Sequence, residues 1–293
     1  VDFQLSGPYN YSRVLERLSY DPLNVIEKER NTIKVPLKIY EKFIIANVSF
    51  SGDSQNPVCH IELPSQFEEE GVRRLKGIFQ LEVPLDEVNN HFLHTDLEPL
   101  FKQFSGMPLI CDFDLYFCMM KTIIHQQLNI RFAYTLTERF VKSYGTEKDG
   151  VWFYPSPETV SKLDYEDLRK LQFSQRKAEY VIDTSRLIAE GKLDLAELRV
   201  MTDDDVIAEL VKIRGVGYWT AENILLFGLG RQNLFPVKDI GIQNALKNLY
   251  KLDQKPTLEE MLHYSDRWSP YKSYASLYLW ESLDNQKAPE LKK

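Results

Sequence analysis

The residues of this chain best placed to do chemistry are one aspartate at a loop-to-helix junction and a glycine hairpin just before it. Asp239 ends the loop Asn233-Leu234-Phe235-Pro236-Val237-Lys238 and opens an apolar-periodic stretch that runs to about Tyr250. An aspartate in that position caps a helix by accepting backbone N–H bonds. A carboxylate fixed in this way also stabilises positive charge that develops on a reacting group beside it. Upstream, Ile213-Arg214-Gly215-Val216-Gly217 separates a stripe at Val206, Ile207, Leu210 and Val211 from a second one at Ala221, Ile224 and Leu225. Two glycines one residue apart leave the backbone approachable, and the orphan N–H groups of the next helix suit an anion such as phosphate. Lys212 and Arg214 flank the turn with positive charge. Spacing alone leaves two readings open, a grip on a nucleic-acid backbone and a plain helical corner. A dinucleotide fold fits less well, because the third glycine of GxGxxG, a preceding strand and the GK[ST] of a P-loop are missing.

Taken together, the run Leu210-Val211-Lys212-Ile213-Arg214-Gly215-Val216-Gly217-Tyr218-Trp219-Thr220-Ala221 and the later Phe235-Pro236-Val237-Lys238-Asp239 resemble a known signature. It is the helix-hairpin-helix and Gly/Pro-rich loop–Asp pattern of the HhH-GPD superfamily of DNA glycosylases. The resemblance extends to Ile123-Ile124-His125-Gln126-Gln127-Leu128-Asn129 and to Arg267-Trp268-Ser269-Pro270-Tyr271-Lys272-Ser273-Tyr274-Ala275. It covers roughly residues 110–282 and is strongest for the alkyl-base branch, DNA-3-methyladenine glycosylase II (AlkA-like).

That resemblance implies a monofunctional glycosylase that flips an alkylated purine such as 3-methyladenine out of duplex DNA and hydrolyses its N-glycosidic bond. It implies Asp239 as the catalytic aspartate, and Trp219 and Trp280 as walls of the base pocket. Relatives that also cut the strand carry a lysine where this chain has Trp219, and tryptophan forms no Schiff base. The DNA contacts implied are Arg214, Gly215, Gly217 and Lys238, with Gln127 wedged into the gap left by the flipped nucleotide. The backbone carbonyls of Val211, Ile213 and Val216 match a monovalent-cation site (Na+ or K+), and no cofactor is required. No cysteine cluster follows the hairpin, so no iron–sulfur cluster is expected. Asn223 departs from the pattern, standing where similar family members have a pocket tyrosine. Other readings are a monofunctional glycosylase for deaminated or oxidised purines and a non-catalytic module that only grips damaged DNA.

The elements that must position these residues form an α+β chain. In residues 1–88, alternation at 32–40, 43–50 and 58–63 reads as an antiparallel sheet, with Pro36 hinting at an edge strand. Residues 11–18 and 67–78 read as helices, 79–83 as a further strand, and 145–157 as a loop. From about Leu97 onward the period is helical: a helix-hairpin-helix domain over 114–231, and a second helical subdomain from 89–113 and 232–293 that carries Asp239. A net charge of −7 argues against a tight, indiscriminate nucleic-acid binder, although Lys212, Arg214, Arg231, Lys238, Lys247 and Lys251 gather around the hairpin. Cys59, Cys111 and Cys118 show neither disulfide nor metal spacing, and the five histidines form no ligand cluster. With no apolar run of membrane length and no signal-peptide order at the start, the expectation is a cytoplasmic, nucleoid-associated monomer acting on double-stranded DNA.

Overall fold

The alternating residues 32–62 fold as the antiparallel sheet they predict. In the computed structural model, which describes residues 1–287, the sheet comprises β1 (Asp2–Gln4), β2 (Val25–Glu27), β3 (Thr32–Ile39), β4 (Lys42–Ser51) and β5 (Val58–Glu62). Its order is β1-β5-β4-β3-β2. β3 and β4 join through Tyr40-Glu41, both at positive φ (47° and 61°), the geometry whose twist matches a two-residue hairpin. Along β4 buried residues alternate with more exposed ones, as a strand with one face on a core requires. β3 is not an edge, since β2 pairs with its residues 32–34. Pro36 lies beyond the reach of β2, where β4 is the remaining ladder neighbour.

Two helices flank the sheet, α1 (Tyr11–Leu18) and α2 (Glu68–Phe79). α2 corrects the strand expected over 79–83. Phe79 is its last residue and is fully buried, and Gln80 closes it in the left-handed conformation (φ 53°). The alternation of Phe79, Leu81 and Val83 thus reflects a helix end packing on the core and not a strand.

The chain continues through α3 (Leu85–Phe92) and α4 (Glu98–Gln103) to α5 (Leu115–His125) and α6 (Ile130–Tyr144). Residues 145–157 are not wholly a loop: β6 (Thr146–Lys148) and β7 (Val151–Phe153) form a small hairpin around Asp149-Gly150, both at positive φ. Four helices follow, α7 (Pro157–Val160), α8 (Tyr165–Arg169), α9 (Gln175–Ala189) and α10 (Leu195–Val200). The hairpin pair is α11 (Asp203–Leu210) and α12 (Tyr218–Phe227), and the chain closes with α13 (Ile240–Leu249), α14 (Leu258–Ser265) and α15 (Lys272–Lys287).

The buried apolar residues fall into two clusters. One is built from α5, α6, α9, α11 and α12 and supports the hairpin. The other runs without a break from the sheet through α3 and α4 to α13 and α15. At its centre Phe101 stacks between Phe92 (3.9 Å) and Tyr278 (3.8 Å). The sheet and the C-terminal helices therefore share one core, and Asp239 lies at the seam between that core and the hairpin cluster. The three cysteines are buried and free. Among the described residues no helix is long and apolar enough to cross a membrane.

Candidate active site

Asp239 is the N-cap of α13, and its carboxylate is held from three directions. Oδ1 accepts from the Ile242 backbone N–H (2.9 Å) and from Trp280 Nε1 (2.9 Å), and Oδ2 accepts from Trp219 Nε1 (2.8 Å). The two tryptophans come from α12 and α15, so the carboxylate is fixed by three separate elements. Gly241 is needed for this closeness: a Cβ there would lie 2.9 Å from Asp239 Oδ1 and 3.1 Å from the Trp280 ring.

The loop before Asp239 is tied to α15. Ser273 accepts from Leu234 N (3.0 Å) and donates to Arg231 O (2.6 Å), while Ser276 donates to Leu234 O (3.3 Å). Phe235 packs edge-on against the buried Trp268 (5.1 Å), whose indole N–H donates to Asp96 (3.1 Å). Ser273, Ser276 and Trp268 had no functional reading in the sequence. The regular downstream motif that contains Ser273 and Trp268 was the signal that could have marked two of them.

In the hairpin, Gly215 has φ +90°, and a Cβ there would lie 2.3 Å from the Tyr180 ring; around Gly217 the space is open. Gly217 caps α12 without any side-chain bond, which leaves the first N–H groups of that helix facing outward. The turn is braced from α5: Gln126 Nε2 donates to Gly215 O (2.8 Å) and to Thr220 Oγ1 (2.8 Å). Lys177 in turn donates to Ile123 O (3.1 Å) and Gln126 O (3.0 Å), and burial pulls its ammonium down to about 8. Gln127, next to this brace, is exposed and left-handed (φ 57°).

The basic cluster is more engaged than its sequence suggests. Arg214 pairs with Glu179 (2.7 Å) and lies over the Tyr180 ring, Lys212 pairs with Glu209, and Arg231 pairs with Asp203 (3.2 Å). Lys238 is exposed and sits over the Tyr218 ring at 5.4 Å, with no carboxylate partner among the described residues. Of the carbonyls matched to a cation site, Ile213 O accepts from Val216 N (3.0 Å) and retains a second lone pair. Like the carbonyl oxygens of Val211 and Val216, it is a neutral oxygen, the donor type a hard cation takes. No group of His, Cys, Asp or Glu suited to a metal occurs among the described residues.

Beside Trp219 opens a cavity of about 330 Å³, within the size range of small-molecule sites. Its aromatic walls include Phe113, Phe117, Tyr134, Tyr154, Trp219 and Phe227. Asn223 lines it too and donates to Trp219 O (2.7 Å), which fixes the wall from within the helix. Trp280 is not among the lining residues; it bonds Oδ1, the oxygen that Trp219 does not, and packs against Phe227 (5.9 Å). Tyr274 and Tyr278 are core residues, fully buried.

Glu222, one turn after Trp219, is pushed up to about 7 by burial, with Lys238 opposing the shift and Asp239 adding to it. An acid raised in the folded state holds its proton there while the unfolded chain has lost it. Its contribution to stability is therefore present below about pH 4.5 and lost as pH rises towards 7. Glu222→Gln should accordingly raise the unfolding temperature at pH 8 and have little effect at pH 4.5. Equal shifts at both values would show that no such titration exists.

The model of the family described as HhH-GPD superfamily base excision DNA repair protein matches residues 120–270. The chain belongs to that superfamily. The Bacillus subtilis protein YfjP, named provisionally as a DNA-3-methyladenine glycosylase, is 52% identical over 96% of this chain and 98% of its own length. Among solved structures, a 3-methyladenine DNA-glycosylase from Archaeoglobus fulgidus shares the fold, with TM-score 0.82, 21% identity, and coverage of 96% of this chain and 97% of that one. The Schizosaccharomyces pombe 3-methyladenine DNA glycosylase Mag1, solved with abasic DNA, gives TM-score 0.58 at 25% identity, covering 68% of this chain and 97% of its own. As an HhH-GPD protein with such relatives, the chain is a DNA glycosylase of base excision repair, an N-glycosyl hydrolase that binds DNA. The HhH-GPD match spans the hairpin, the loop and Asp239, the segment whose geometry is described above.

Proposed function

We propose that this glycosylase takes an alkylated purine out of duplex DNA into the cavity beside Trp219 and hydrolyses its N-glycosidic bond without cutting the strand. The observation that carries the reading is the Asp239 carboxylate, fixed by two indole N–H groups and one backbone N–H next to an aromatic cavity. 3-Methyladenine, the base in the names of its relatives, is the expected substrate. The indole of Trp219 favours the positive charge of such a base by about 0.5–2 kcal/mol. As the C1′–N bond breaks, its electron pair neutralises the base, and the sugar becomes cationic. Asp239 stabilises that cation and orients a water; the water oxygen bonds to C1′ and its proton passes to the carboxylate or to solvent. With Trp219 where strand-cutting relatives carry a lysine, that position offers no amine to attack the sugar, and the product is an abasic site.

The grip on DNA uses the open N-terminus of α12 at Gly215 and Gly217, with Lys238 supplying positive charge at its rim and Arg214 reaching phosphate by exchanging its partner Glu179. Gln127, presented by the Gln126–Lys177 brace, fills the gap in the stack. A Na+ or K+ held by the carbonyls of Val211, Ile213 and Val216 would add positive charge where phosphate approaches, and no step passes through it. The glycosylase works as a monomer in the cytoplasm at the nucleoid, without other cofactors.

The test is release from duplexes carrying 3-methyladenine, hypoxanthine or 8-oxoguanine, with strand integrity followed in parallel. Free 3-methyladenine with strands that break only after alkali is the expected result. Preferential release of hypoxanthine or 8-oxoguanine would move the substrate class. Tight abasic-duplex binding with no release from any lesion would mean a binding module.

A further inference from the structure

The cavity beside Trp219 is not purely aromatic. Asp21, Asp112 and Lys121, from three separate stretches of chain, line it together with Tyr134 and His125. Lys121 bonds to Asp112, its one hydrogen-bond partner among the described residues, so two of the three ammonium N–H groups remain for a ligand. Burial pulls Lys121 down, but Asp112, Tyr134 and Asp21 together more than offset this, and the ammonium is held above its ordinary value. Asp21 uses Oδ1 to accept from Leu23 N (3.0 Å) and feels Lys121 without forming an ion pair with it. Burial pushes the Asp21 carboxyl up, and Lys121 is the leading opponent of that push. His125 is pushed down to about 3 by burial and by Lys121 and Lys177, so it adds no charge. Arg17, at the same wall, is engaged by Glu281 at 3.6 Å. The wall thus offers one cationic donor and, in Asp21, one carboxylate not bonded to a cation, while Asp112 keeps its buried Oδ2 without a partner among the described residues.

A guanine carries an O6 acceptor beside N1–H and N2–H donors, whereas an adenine carries an N6 donor beside the N1 acceptor. One ammonium and one bidentate carboxylate complement the guanine order at three atoms, and the adenine order at two at most. We propose that Lys121 and Asp21 read the Watson–Crick edge of the flipped base, Lys121 donating to O6 and Asp21 accepting from N1–H and N2–H, so that the pocket selects 7-alkylguanines. Asp112 is the positioning residue that holds Lys121. This deepens the glycosylase reading and rests on it. A 7-alkylguanine is also a cation in the nucleotide, which suits a wall whose two carboxylates outnumber its one ammonium.

The test compares single-turnover release of 7-methylguanine and 3-methyladenine by the wild type, Asp21→Asn and Lys121→Met, with unfolding temperatures measured alongside. The wild type is expected to release both bases. Asp21→Asn, which keeps size and shape, should lower 7-methylguanine release about tenfold or more and 3-methyladenine release less than threefold, the scale of losing one paired contact to a base edge. Lys121→Met should change the ratio in the same direction. Equal losses on both bases, or an unchanged ratio in Asp21→Asn, would overturn the assignment. So would a wild type that frees 3-methyladenine but no 7-methylguanine, while leaving the glycosylase reading intact. A wild type that frees neither base overturns both.

Discussion

Asp239→Asn is expected to lower the single-turnover rate of base release by about 10²–10³-fold and to leave binding to an abasic duplex within about threefold. The reasoning separates the two things an aspartate does at this position. Asparagine caps a helix as well as aspartate does, so the bond to Ile242 N and the start of α13 survive. What is lost is the anion. The amide also replaces one oxygen by a donor, and the two indole N–H groups that converge on Asp239 then face one acceptor oxygen and one NH2 group. One of those bonds must be given up, at a cost of about 1 kcal/mol, far less than the loss of transition-state stabilisation. Thermal unfolding should therefore change little while the rate collapses. If Asp239→Asn keeps more than a tenth of the wild-type rate, Asp239 is a helix cap and the sugar cation is stabilised elsewhere.

The order of the elements was readable because their signals are local. The period of two in 32–62 and the paired glycines between two apolar stripes each describe their own few residues, and each appears in the structure. The misses are of two kinds. β1 and β2 have three residues each, too short for any period, and exist because β5 and β3 offer them an edge. The Asp149-Gly150 turn did carry a hairpin signal, which the surrounding glycine and prolines masked as loop. The sequence singles out Asp239 and Trp219 separately, and nothing in it shows that they are joined by a hydrogen bond. Trp280 reaches the aspartate from 41 residues away, and its role as a donor to the carboxylate has no sequence signature. The neutralisation of Arg214 by Glu179, 35 residues upstream, is equally invisible, so clustered lysines and arginines overstated the free charge at the hairpin. The polar wall of the cavity is the extreme case, since Asp21 and Lys121 meet only after the N-terminal segment packs on α5.

Gly215→Ala is expected to destabilise the protein by about 2–5 kcal/mol and Gly217→Ala by less than about 0.5 kcal/mol, although the two glycines are one residue apart. At Gly215 the backbone stands at φ +90°, which an L side chain adopts only with strain, of about 1–2 kcal/mol. The new methyl would also meet Tyr180 Cγ at 2.3 Å, so the ring must move, and with it the surface on which Arg214 rests. The carbonyl of Gly215 would shift too, loosening the bond from Gln126 that braces the turn against α5. At Gly217 none of this applies: the backbone is extended (φ −94°), and a Cβ has no neighbour within 4 Å. Its hydrogen instead faces the open space in front of the first turn of α12, where a phosphate would seat. Gly217→Ala should therefore unfold at the wild-type temperature but bind an abasic duplex about tenfold more weakly, since the methyl keeps phosphate away from the N–H groups. Gly215 is then a glycine for the fold and Gly217 a glycine for the ligand. Wild-type binding by Gly217→Ala would place the DNA backbone away from this turn, and an unstrained, fully stable Gly215→Ala would show that the tight turn tolerates a side chain.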